Sequence, residues 1–260
     1  MPRLPIDVPA GGIFITRGMR VSIPRFTISI GPDGAMSTDI ALHVSLDICP
    51  FWLEIARRHV AKAEADHLEV QAAWQASDND LRVATLEAEF DASMQAIAAT
   101  GIAIDAFYAR VKEEVQLPSG MVESWRTNNT ARYKQVTEVL RRAFVMGPRS
   151  AVNLRQVVKE IYKFRDQTVH PPSEARAPVS YPELGVATEW RFFTFRAENA
   201  RILCGLAISL IAQLLAHPRD PNQGFADHCA AASERISPLL EEWEARYGQL
   251  FPREPEGSNG

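Results

Sequence analysis

The stretch IALHVSLDICPFWLEIARRHV (residues 40–60) holds the change of period on which the fold turns. In its first half Ile40, Leu42, Val44, Leu46 and Ile48 alternate with Ala41, His43, Ser45 and Asp47. That two-residue repeat is the mark of a strand with one apolar face. Pro50 then takes a position suited to a first helical turn, where its missing N–H costs nothing. From there onward the periodicity is helical.

Working back from this junction, Phe26, Ile28 and Ile30 alternate with Thr27 and Ser29, and Pro32-Asp33-Gly34 is a turn sequence. An antiparallel hairpin follows, to which Ile13–Ile15 and Val21–Ile23 can add strands. So small a sheet needs a cover for its apolar face, and the helical body is the candidate. Residues 1–50 are therefore expected to form a β appendage, 51–250 a helical bundle and 251–260 a disordered tail.

Working forward, a first helix is expected to about Ala76, with Ser77-Asp78 as a cap for a second running to about Gln116 and bending near Gly101. Leu117-Pro118-Ser119-Gly120 breaks the pattern. It resumes from about Thr130 to Phe144, is stopped by Gly147-Pro148, and returns from about Ser150 to Val169, ahead of Pro171-Pro172. A loop to Gly185, a long apolar helix over about Thr188–Ala216 and an amphipathic one over about Gln223–Tyr247 complete the body. The fold class is mainly α, a helical bundle with an N-terminal antiparallel hairpin.

Composition narrows the functional classes. The chain has 260 residues, 46% hydrophobic and 23% charged, with a net charge of −4. So much apolar content beside so small a charge excludes a disordered chain, and the acidic balance excludes a broadly basic nucleic-acid binder. Cys49, Cys204 and Cys229 are odd in number and widely spaced, so they read as buried thiols in a reducing compartment. The first ten residues lack a secretory core. The apolar run Ile202–Ala216 is shorter than the roughly 20 residues of a membrane span. A cytoplasmic protein without membrane association is expected. No Gly-rich phosphate loop, nucleophile elbow or metal-ligand spacing is present, so neither a cofactor nor a metal is expected. Glu87, Glu89 and Asp91, near Arg82, read as a solvated helix face.

One segment combines chemistry-bearing residues at a helix end: YKFRDQTVHP (residues 162–171), in which four residues separate Arg165 from His170. It resembles the signature of the HEPN superfamily, an arginine followed after four to six residues by a histidine, often with Asn, His or Asp directly after the arginine. Arg165, Asp166 and His170 match those positions. The preceding amphipathic helix, the long apolar helix after it and the inner-helix character of QAIAATGIAIDAFYARV (95–111) match as well. The resemblance covers about residues 80–216 and leaves the hairpin outside. It implies an RNA-binding protein of toxin–antitoxin or defence type, dimeric, sometimes checked by an inhibitory protein partner, and in catalytic members a metal-independent endoribonuclease. In that reading His170 is the acid/base, Arg165 stabilises the phosphorane and Asp166 orients one of them. Lys163, Arg176 and Tyr181 are candidate substrate contacts through charge and stacking.

The chemistry suits the residue types. Metal-free RNA cleavage needs the 2′-hydroxyl deprotonated, the leaving 5′-oxygen protonated and phosphate charge stabilised. Histidine titrates near neutrality, and arginine grips two phosphate oxygens while always charged. On an unbroken helix, however, five residues turn about 140° and rise about 7.5 Å, so the two side chains diverge. They converge if the helix unwinds before Pro171, or if the partner residue comes from a second subunit. The alternatives are a non-catalytic HEPN-like interaction or dimerisation module, with His170 in the last helical turn favoured by the helix dipole, and a chance spacing.

Charge is distributed unevenly. Gly120–His170 carries ten basic and four acidic residues, whereas Phe51–Gly120 carries six basic and twelve acidic. Two consequences are open at this point: a phosphate-bearing ligand beside the motif, or basic helices packed across acidic ones.

Overall fold

The structure, a computed structural model, describes residues 13–76, 78–170, 173, 175–219 and 222–249. The expectations for Met1–Ala10, Ser77, Pro171-Pro172 and the tail 251–260 lie outside the described residues. The chain divides into two compact units, Met1–Asp47 and Ile48–Gly260.

The first unit is the hairpin, β1 (Met19–Ile30) paired antiparallel with β2 (Met36–Leu46). Val21–Ile23 belongs to β1, and Ile13–Ile15 forms no strand. At the turn Asp33 Oδ1 accepts from Ala35 N at 3.1 Å, and Gly34 takes the left-handed φ of 79°. The register pairs Met19 with Leu46, Val21 with Val44, Phe26 with Ile40 and Ile30 with Met36. Directly paired residues share a face, so the apolar set lies on one side. Arg20, Ser22, Arg25, Thr27 and Ser29 lie on the other, opposite Ser45, His43, Ala41, Asp39 and Ser37. A register shift between Ser22 and Arg25, at Pro24, is absorbed there without exchanging the faces.

The second unit holds eight helices among the described residues: α1 (Cys49–Gln75), α2 (Asn79–Glu114), α3 (Met121–Thr127), α4 (Arg132–Ala143), α5 (Pro148–Val169), α6 (Trp190–Thr194), α7 (Ala197–Leu215) and α8 (Gln223–Tyr247). The mainly helical class with an N-terminal hairpin is as the sequence predicts. Pro50 and Pro148 sit in first turns, as their fixed φ favours. Asp78 caps α2, accepting from Asp80 N at 3.0 Å and Leu81 N at 3.1 Å. Arg82 turns back to donate to the carbonyls of Ala73 and Trp74, satisfying the end of α1. This short connection sets α1 and α2 antiparallel, and α7 packs on both. By length and composition α7 could cross a membrane, yet Leu203, Cys204, Ala207, Ile208 and Ile211 are buried in the core. The three cysteines are buried, and burial pushes the Cys204 thiol up to about 12.

Four departures from the sequence reading stand out. α2 runs unbroken through Gly101. The long apolar segment is two helices, because the chain leaves helical geometry at Phe195 (φ −100°, ψ 57°) and Arg196 (ψ 160°). The loop before it contains a small antiparallel pair, β3 (Val179–Tyr181) and β4 (Val186–Thr188). Finally, Glu89 is not on a solvated face: it is 1% exposed, while its neighbours Glu87 and Asp91 are exposed.

Glu89 is retained in the interior by its partners. Its Oε1 accepts from Ala197 N at 2.9 Å, capping α7 from a distant helix, and lies 3.0 Å from His67 Nδ1. His67 Nε2 in turn lies 3.3 Å from Glu183 in the β3–β4 turn. One histidine thus ties α1, α2, the start of α7 and the small β pair. The hydrogen bond to Glu89 raises the His67 pKa above its ordinary value; burial opposes the shift, and the charges of Glu89 and Glu183 reinforce it.

A histidine whose folded-state pKa exceeds its unfolded one contributes stability that is complete below the unfolded pKa of about 6.5 and is lost as pH rises through the folded one. The gap in thermal midpoint between wild type and His67→Gln is therefore expected to be widest on the acid side of about pH 6.5 and to narrow above it. Thermal denaturation followed by circular dichroism across that range checks this, and a gap independent of pH would contradict it.

Candidate functional site

Helix α5 carries the Arg-His segment, and its periodicity decides where each side chain goes. Leu154, Val157, Val158 and Ile161 are buried against the bundle. Arg165 follows on this inward side, and α5 packs on α2 at Gly101. A Cβ added at Gly101 would stand 2.5 Å from Arg165 Cγ and 2.8 Å from its Cβ, so glycine is required there by the approach of the two helices. The glycine that the sequence suggests as a bend is a seat for the arginine.

The guanidinium of Arg165 ends on α2. Its Nη2 donates to Asp105 Oδ2 at 2.9 Å, its Nη1 lies 3.0 Å from Asp166 Oδ1, and it stacks 4.8 Å from the centre of the Tyr162 ring. Asp105 collects further donors. The Tyr162 hydroxyl donates to it at 2.6 Å, and Arg132 of α4 donates through Nε at 2.9 Å while lying over Tyr108. Burial, followed by the Asp105 carboxylate, raises the Tyr162 pKa, so the phenol stays a neutral donor. Asp105 thus joins α2, α4 and α5. Of the residues around Arg165, the sequence reading missed Asp105, Arg132 and Tyr162. The available signal was Asp105 itself, a lone carboxylate in the apolar run QAIAATGIAIDAFYARV.

His170 is placed differently. The helix continues through Val169, and His170 is its exposed C-cap, with φ −131° and a backbone N–H donated to Asp166 O at 2.7 Å. Helical order up to the cap removes unwinding as a way to join the pair within one chain. Arg165 faces α2, and His170 stands at the free end of the outer face. On that face Arg155, Lys159 and Lys163 follow at four-residue intervals and are exposed. Lys163 reaches Glu160 at 3.5 Å. Among the described residues no carboxylate pairs with Arg149, Arg155 or Lys159.

The remaining candidates lie elsewhere. Arg176 stacks on Trp190, 4.4 Å from the ring centre. Tyr181 is fully buried, its ring edge-on to Phe193 at 6.0 Å, so it anchors the β3–β4 pair and offers no face to a base. The structure therefore joins Arg165 with Asp166, sets Lys163 and His170 along one outer face, and brings neither Arg176 nor Tyr181 to a contact with them.

A separate cavity of 360 Å³ lies beside His67 and Glu89, lined also by Glu64, Arg196, Arg201 and Arg246. Most of its charges are matched internally, while Glu89 Oε2 and Arg196 Nε are buried without a hydrogen-bond partner. Glu64 takes Arg246 at 2.8 Å and the Tyr247 hydroxyl at 2.6 Å, and Arg196 pairs with Glu183 and Glu198. Among the described residues no three His, Cys, Asp or Glu side chains are grouped to hold a metal ion.

Two substitutions probe the Asp105 junction. Gly101→Ala must push α5 away from α2, since the clash meets the stem of Arg165 rather than its tip, and is expected to cost about 1–3 kcal/mol. Asp105→Ala leaves Tyr162 and two arginines without their acceptor and is expected to cost about the same. Urea denaturation measures both, and a loss near zero for either would contradict the structural role given to this junction.

No protein-family model, curated protein or solved structure matches the chain.

Proposed function

We propose that this chain is a HEPN-like RNA-binding bundle that presents the outer face of α5 to a phosphate backbone, with metal-independent cleavage confined to a cleft shared by two protomers. The carrying observation is the exposed row Arg155, Lys159, Lys163 and His170 along one face of α5. Arg155, Lys159 and Lys163, spaced by about one helical turn, roughly 6 Å, suit successive phosphates of a single strand. His170 closes the row at the free end of the helix, where its ring is open to substrate.

In one protomer the arginine and the histidine point apart. A two-fold pairing of α5 ends would supply two histidines, one accepting the 2′-hydroxyl proton and the other protonating the departing 5′-oxygen. Attack of that 2′-oxygen on phosphorus then leaves a 2′,3′-cyclic phosphate. Arg165 would exchange its contact with Asp166 for a phosphate oxygen while keeping Asp105.

A second reading, the non-catalytic interaction module, draws support from the same arginine. Arg165 is held by two carboxylates and stacked on a buried tyrosine, a structural commitment of both its terminal nitrogens.

Binding and cleavage are tested separately. Fluorescence anisotropy with a labelled single-stranded RNA is expected to show affinity falling about tenfold or more in Lys159→Ala/Lys163→Ala, with the slope of log affinity against log salt reduced by about 1–2. No change would remove α5 as the binding face. EDTA-resistant cleavage that yields the cyclic phosphate and disappears in His170→Ala supports the shared cleft. Binding without cleavage of any RNA pool selects the non-catalytic reading.

A further inference from the structure

The β1–β2 hairpin gathers exposed large hydrophobics on one side of its sheet. Val21, Phe26, Ile28, Ile30, Met36 and Ile40 are each exposed by 45–71%, and cross-strand pairing sets them on one side of the sheet. The pairs on that side are apolar throughout, apart from Thr38 opposite Ile28, and include no charge. A two-stranded hairpin is marginal in water unless such a face is covered. Isolated apolar side chains on a surface are ordinary, whereas a contiguous patch of this extent marks an interaction site.

Three observations define the occupant. First, the face carries no charge, so a partner bearing charged residues there would have to desolvate them unpaired. Second, within the helical unit the exposed large hydrophobics are spread over α1, α2, α3, α5, α7, β4 and the connections between them, Leu68, Val83, Val145 and Val152 among the most open. The hairpin face of another copy is a surface of matching character and size. Third, the area is sufficient. At these exposures the face leaves roughly 800 Å² uncovered, the share one partner contributes to an interface of standard size.

The mode of association follows from the strand itself. Pro24, within the register shift of β1, lacks an N–H, and Arg25 and Asp39 pair at 2.9 Å on the polar face. A proline and a bulge on an outer strand disfavour edge-to-edge extension, whereas the broad apolar side favours stacking of sheet on sheet about 10 Å apart. An isologous arrangement buries both copies of the face at once.

We propose that the hairpin is a dimerisation module, its apolar face docking on the same face of a second copy of this chain to make a four-stranded two-sheet sandwich. The proposal does not rest on the RNA-binding reading of α5: its test reads mass rather than RNA binding.

The full chain is examined by light scattering after size exclusion across the micromolar range. Wild type is expected at twice the chain mass, Ile28→Lys/Ile40→Lys at the chain mass, and Thr27→Lys on the polar face at the dimer mass. Far-UV circular dichroism verifies that the helices are intact in each. Ile40→Cys, placed opposite Phe26 in mid-hairpin, is expected to form an intermolecular disulfide on mild oxidation, while Thr27→Cys does not. The native thiols are buried and do not compete. A monomeric wild type would overturn the proposal, whether its face proves protected within one chain or drives the protein onto phosphatidylcholine vesicles. So would a dimer unaffected by the two lysines, or equal cross-linking from both cysteine positions.

Discussion

The approach of α5 to α2 rests on one carboxylate, Asp105, and on one absent side chain, that of Gly101. Without the glycine the stem of Arg165 has no room. Without the carboxylate its guanidinium, the Arg132 guanidinium and the Tyr162 hydroxyl lose a common acceptor. Steric fit and charge act at the same place, so the helices are held in a defined rotational setting rather than merely in contact. That setting sends Arg165 inward and leaves Lys159, Lys163 and His170 on the outer face. The orientation of every candidate functional residue on α5 follows from it.

A second polar junction has the same logic at the other end of α2. Glu89 accepts from the first N–H of α7 and from His67, and His67 reaches Glu183. A buried carboxylate is costly unless its partners are fixed, and here they come from a helix terminus, where the dipole favours negative charge, and from the His67 ring. Each end of α2 therefore carries one acidic residue that organises neighbours distant in sequence, Asp105 for α4 and α5, Glu89 for α1 and α7.

These two residues also show what sequence reading can and cannot reach. Local signals located the elements well: the change of period before Pro50, the Asp78 cap and Gly147-Pro148 each act within a few residues, and the structure starts α1, α2 and α5 there. The failures are of longer range. Glu89 reads as solvated beside Glu87 and Asp91 because its partners lie 22 and 108 residues away. The break at Phe195 and Arg196 carries neither glycine nor proline; Phe195 is buried and packs edge-on to Phe90 of α2, a tertiary contact overriding a helical pattern. At the motif, the spacing of Arg165 and His170 was legible and so was their divergence on an unbroken helix. That Arg165 would be committed to Asp105 was not, since the pair is separated by 60 residues.

The opposed charges of the two sequence segments acquire a physical meaning once these contacts are known. Part of the basic excess in Gly120–His170 is consumed inside the bundle. Arg132 and Arg165 pair with Asp105 from the acidic segment, while Arg141 and Arg142 pair with Glu138 from their own. The remainder is not consumed: Arg149, Arg155 and Lys159 are exposed, with no carboxylate partner among the described residues. Packing of basic helices across an acidic one and a free cationic surface are therefore not alternatives but the two sides of α5. A uniformly basic protein would bind polyanions anywhere. A chain with net charge −4 can still carry a local row of unpaired cations on one helix face.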